Sequence, residues 1–229
     1  MPNPSFITQV ATTFVVLFPI ANPIAAVPVF QSLTEGDEDF YRKRQALKTA
    51  FFSALVLAVF MGAGKYIMGV FGIQSPYVIQ IAGGLIVGYT GWRIVNGKQY
   101  LREEEEKDAT KKGDVSFIPM AIPMISGPGA ISAAITLPAT LNQGSNGINV
   151  LNTYPAALTG IALLGIVVWM FLMSGDQLKK RLGADGMGAV QKISGFFILA
   201  IAVQLILTGT IALLSASAPT VFTNPNPFK

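Results

Sequence analysis

Two stretches, "FPIANPIAAVPVF" (residues 18–30) and "MAIPMISGPGAISAAI" (residues 120–135), set prolines, glycines and a few polar residues in apolar surroundings. The chemistry they offer is that of interrupted backbone. Proline has no N–H, so Pro23 leaves the carbonyl of Pro19 without its helical donor, and Pro28 does the same to Ile24. Pro128 likewise frees Met124, and Pro123 frees Pro119. Beyond the second break, the N–H groups of Gly129 and Ala130 begin a new half-helix. Its positive end suits a carboxylate or another anion, and the freed carbonyls suit an ammonium. Asn22 and Ser126 flank the breaks, where they can bind a solute's polar groups or cap the broken helix ends. The candidate binding residues are therefore Asn22, Pro23, Ser126, Gly127, Pro128, Gly129 and Ala130. Gln204 and Thr208, one turn apart, share a helix face and either hydrogen-bond a neighbouring helix or line a pathway.

Other chemistries are short of parts. The chain has no cysteine and no histidine, which excludes disulfides, thiol nucleophiles, histidine bases and metal sites built on those ligands. All twelve acidic residues fall between apolar segments, with Asp176 closest to a segment end, so a mid-membrane carboxylate relay is missing. A serine dyad would need an embedded lysine, and Lys65 lies at the outer end of its segment. No catalytic residue, metal or cofactor is expected, and the chain does not read as an enzyme. The leading reading is a transporter of small solutes. A channel with a re-entrant backbone filter is the alternative, and a membrane scaffold would leave two matched breaks without a purpose.

The elements that must position these residues are membrane spans. Of the 229 residues 52% are hydrophobic and 12% charged, about half the usual charge of a soluble domain. Apolar segments at about 6–32, 47–71, 75–97, 116–140, 154–174 and 192–215 each have spanning length. The first has no basic leader and no clear cleavage site, so it reads as a retained span. Of 16 basic residues, 14 lie in or beside the first, third and fifth connections, and only Lys65 and Lys229 lie elsewhere. The positive-inside rule then puts those connections in the cytoplasm and both termini in the periplasm, in a bacterial inner membrane. The run "EEEEK" sets Glu103 four residues before Lys107, as in a short solvated helix. Gly84 and Gly88 form a small-xxx-small packing face. Arg93 is placed to snorkel at the cytoplasmic interface, with Trp92 in the aromatic belt.

The two halves resemble each other. "FGIQSPYVIQIAGGLIVG" (71–88) matches "LGADGMGAVQKISGFFILA" (182–200), with Gly72 against Gly183 and Ile81-Ala82-Gly83 against Ile193-Ser194-Gly195. Asn22-Pro23 corresponds to Gly127-Pro128. With three spans per half, the second copy must be inserted upside down, the inverted-repeat plan of secondary transporters. The expected fold is thus an all-α membrane protein of six transmembrane helices, with spans one and four broken. Residues 1–100 form the first repeat, 101–115 a cytoplasmic linker, 116–216 the second repeat and 217–229 a periplasmic tail.

The motifs "NPIAAVPVFQSLTEG", "SGPGAI" and "IQIAGG", with the six-span length, resemble those of the MarC family, named for multiple antibiotic resistance. The resemblance covers nearly the whole chain. It implies a protein similar to small-neutral-amino-acid transporters, with such a solute and the bilayer as partners, no nucleic acid, and a homo-oligomer left open. The family's first motif usually has Asp before the proline, where this chain has Asn22; Gly127-Pro128-Gly129 is intact.

Overall fold

The computed structural model describes residues 5–97, 114–142 and 150–217, and among these all regular structure is helical. Ser5 starts α1 (Phe6–Ala21), its Oγ accepting the Thr8 N–H at 3.3 Å. α1 ends at Asn22, whose left-handed backbone (φ 44°, ψ 61°) turns the chain straight into α2 (Pro23–Leu33). Asn is one of the few residues that takes this conformation cheaply, and Pro23 supplies the φ that a first helical turn needs. The two axes meet at 47°.

α3 (Asp39–Val70) starts eight residues before the apolar segment at 47, so Arg42, Lys43 and Arg44 ride on its first turns. α4 (Pro76–Val95) is capped by Ser75. The second broken pair starts with an irregular proline segment, Ser116–Ile125, in which Ile118 and Ile122 have extended backbone ahead of Pro119 and Pro123. Wide bonds from Met120 N–H to the Val115 carbonyl and from Ser126 N–H to the Ala121 carbonyl hold it together. A bend of 66° then leads into α5 (Pro128–Leu141). Only Ser174 separates α6 (Val150–Met173) from α7 (Gly175–Ser217). The stretch "GDQLKKRLGADG", which lies in the fifth connection between apolar segments, is therefore helical, with a kink at Gly183, whose φ of 67° suits glycine alone. The "EEEEK" run and nearly all of the 101–115 linker and the 217–229 tail lie outside the described residues.

α3, α4, α6 and the Gly188–Ser215 part of α7 are each long and apolar enough to cross a membrane. Each bent pair, α1 with α2 and the proline segment with α5, is long and apolar enough when its two arms are taken together, giving four to six spans among the described residues. α4 packs most extensively on α7; α1 lies on α6, and α3 lies on α5, on α6 and on the proline segment. Leu17, Phe30, Leu57, Met120, Leu137 and Leu164 are fully buried between these elements. The outer surface is apolar as well: Phe51, Val59, Leu85, Trp169, Phe196 and Leu214 are all exposed. Helices apolar both inside and outside need a hydrocarbon solvent.

Candidate functional site

At the first break, Asn22 does two things. Its Oδ1 accepts the Ala25 N–H at 3.3 Å and caps α2. That bond fixes the orientation of the amide, and it leaves Nδ2 a buried donor with no partner among the described residues, on a side chain only 5% exposed. An orphaned buried donor costs roughly 1–3 kcal/mol.

The second break is built differently. Ser126 Oγ donates to the carbonyl of Ser53 at 3.0 Å and ties the break to α3. Gly127 is the N-cap of α5 and has no side chain to close it. Pro128 has no N–H, and the first α5 donor to find a backbone acceptor is Ile131, on the Gly127 carbonyl at 2.9 Å. The Gly129 and Ala130 N–H groups are left without an acceptor among the described residues, and both residues are buried. α2 and α4 also start with a proline, but Asn22 and Ser75 cap them. Only α5 of the three presents a bare, buried positive end.

The fold brings the breaks together. A Cβ added at Gly129 would collide with Val87 of α4 and lie 3.6 Å from Cγ2 of Ile20, two residues before Asn22. Ile20, next to the first break, thus lies against Gly129 at the second, and the two bent pairs meet there. Pro23 and Pro128 occupy first helical positions and shape the breaks; Gly127 and Ser126 set the turn into α5. Gln204 and Thr208 lie elsewhere. Thr208 accepts the Gln80 Nε2 donor across the α4–α7 contact at 2.9 Å and donates to the Gln204 carbonyl. Gln80 is seven residues, about 10 Å along α4, from the Val87 that covers Gly129. Interhelical bonding accounts for Thr208, and Gln204 is exposed.

Three participants carry little signal in the sequence. Val87 and Ile20 are ordinary apolar residues until the fold sets them over Gly129. Ser53 belongs to a polar series in a span, Gln45, Thr49 and Ser53, whose spacing of four could have been noticed.

An all-helical chain with two buried helix breaks and an apolar exterior is an integral membrane protein. It belongs to the MarC family: the model for MarC family integral membrane proteins matches residues 7–214. The chain is 33% identical to the UPF0056 membrane protein YvbG of Bacillus subtilis (strain 168) over 209 residues, 90% of this chain and 94% of that one. It is 29% identical to the UPF0056 inner membrane protein MarC of Escherichia coli (strain K12) over 208 residues, 87% of this chain and 93% of that one. No solved structure matches.

Proposed function

We propose that this protein is a secondary transporter of small neutral amino acids, or similar small zwitterions, in the bacterial inner membrane. The carrying observation is that each of the two neighbouring breaks holds unpartnered donors: Asn22 Nδ2 at the first, and the N–H groups of Gly129 and Ala130 at the second. A carboxylate suits donors of this kind without a charged side chain, and the local dipole of α5 favours it. Ser126 keeps free lone pairs on Oγ, which with the carbonyls released by the prolines suit the ammonium. The small residues around the breaks favour a compact solute.

Two inverted three-span repeats form the working architecture. Several features support this reading. One broken span falls in each half, and Gly72 and Gly183, matched in sequence, share a left-handed φ of 68° and 67° ahead of spans three and six. The packing of the α1–α2 pair on α6 and of the proline segment–α5 pair on α3 interchanges when the halves are swapped. With 14 of 16 basic residues in the odd connections, both termini face the periplasm, and the Escherichia coli relative's name places that protein in an inner membrane.

The test is uptake or exchange of labelled glycine, alanine and serine by purified protein in liposomes. Each should compete with the others, and an amine or a carboxylic acid alone should not. Protein-dependent flux of none of a full amino acid panel would sink the substrate assignment.

A further inference from the structure

Among the described residues, every buried serine and threonine hydroxyl makes a hydrogen bond except one, that of Thr49 on α3. One turn before it, Gln45 Oε1 is likewise buried without a partner. The two side chains are 0% and 1% exposed, so neither oxygen is reached by solvent in this conformation. One turn after it, Ser53 donates to the Thr49 carbonyl, and its own carbonyl takes the Ser126 hydroxyl at the second break. Half-buried Arg42 heads the series. Residues 42, 45, 49 and 53 are spaced three and four apart and share one face of α3.

The cover over this face is irregular. Polar and aromatic contacts tie the proline segment and its flanks to α3 at three places: Asp114 on Lys48 at 2.6 Å, the Phe117 ring on Phe52 with centroids 5.3 Å apart, and Ser126 on Ser53. At 100° per residue, Thr49 lies around the helix between Lys48 and Phe52 on one side and Ser53 on the other, beneath that cover. On the far side α6 approaches closely, a Cβ at Gly165 lying 3.4 Å from the Ala50 carbonyl. A dry apolar groove would carry alanine or leucine at such positions. Two orphaned oxygens in line with a solute site fit a face that is wet when uncovered.

We propose that the Gln45–Thr49–Ser53 face of α3 is the cytoplasmic half of the solute path, and that the proline segment is its removable cover. This rests on the transporter reading and adds which surface the solute follows. Arg42 at the entrance favours the carboxylate-bearing solutes that the break site would take. The hydroxyl and amide groups of the face then exchange hydrogen bonds with the hydrated solute down to Ser126. The proline segment has no regular helical ladder through Ile118 and Ile122. Its polar and aromatic ties to α3 are one ion pair, one ring contact and one hydrogen bond, beside the buried Met120, Met124 and Ile125 that must move with it.

The chain has no cysteine, so single thiols can be placed without background. Thr49→Cys and Ser53→Cys should react with a membrane-impermeant maleimide in inside-out vesicles. The control is Ile198→Cys, buried in the α4–α7 contact. Local opening of the cover should make both path thiols react roughly tenfold or more faster than the control. Near-isosteric Ser53→Cys decides the matter if Thr49→Cys misfolds. Path thiols no faster than the control, in protein melting like the wild type, overturn the proposal. The outcome is separable from the transporter reading: reactive thiols without amino acid uptake leave the path and remove the substrate class, and uptake with unreactive thiols does the reverse.

Discussion

At the residue scale the informative position is Asn22, because capping and the proposed solute binding use different atoms of one amide. Asn22→Gly keeps the left-handed backbone, and a glycine N-cap costs only a few tenths of a kcal/mol relative to asparagine. The melting temperature should therefore stay close to that of the wild type. The lost Nδ2 bond to a carboxylate, about 1.5–3 kcal/mol, should weaken binding roughly ten- to a hundred-fold. Equilibrium titration of the purified variant checks this, and unchanged affinity would return Asn22 to a purely capping role. Gly129 is a poorer probe than its sequence setting suggests. A side chain there meets Val87 first, so Gly129→Val reports on packing between α4 and α5 as much as on an anion site.

At the element scale the contacts between helices sort residues that look alike in sequence. A Cβ at Gly84 would stand 2.7 Å from Ile206 Cγ1 and 3.1 Å from the Ala202 carbonyl, but at Gly88 it would meet only the Ala202 Cβ at 3.4 Å. Gly84→Val should cost about 1–3 kcal/mol through overpacking. Gly88→Ala should be nearly neutral, and thermal melts of the two variants give the contrast. The clasp between α3 and the proline segment has a pH signature. Partial burial raises the pKa of the Asp114 carboxyl, but hydrogen bonds from Lys48 and from the Ser116 hydroxyl and N–H outweigh it and hold the value at about 2. A folded pKa below the unfolded value of about 3.9 adds stability that is present above pH ~4 and lost as the pH falls through ~2. Melting temperature should therefore decline across that window. Asp114→Asn should remove the Asp114 share of the decline, and identical acid profiles would show that the clasp holds nothing.

At the scale of the whole molecule, charge and apolar length act together. With three basic connections on one side, a reporter active only in the cytoplasm and fused after Lys229 should be silent, while one inserted between Lys107 and Lys111 should be active. Activity of both fusions would require an even number of crossings between them. The proline segment and α5 would then have to form a re-entrant loop, and the inverted-repeat reading would fall with it.

Much of this was legible before any folding. Spanning length, charge asymmetry and the Pro/Gly clusters at 18–30 and 120–135 are one-dimensional properties, because a bilayer constrains each helix separately and proline breaks a helix wherever it sits. The breaks at Asn22-Pro23 and Gly127-Pro128 are where the pattern placed them. Tertiary structure decided the rest. Whether Asn22 caps, binds or does both depends on where Ala25 leaves its second amide atom. Whether Gly129 faces a solute or Val87 depends on how α4 crosses α5. Thr208 became a partner of Gln80 only because α4 and α7 lie together. Beyond its spacing with Gln45 and Ser53, Thr49 gave no local sign of importance, since a threonine inside a span normally bonds its own helix; that its hydroxyl lacks a partner emerges only when every other buried serine and threonine hydroxyl among the described residues has found one.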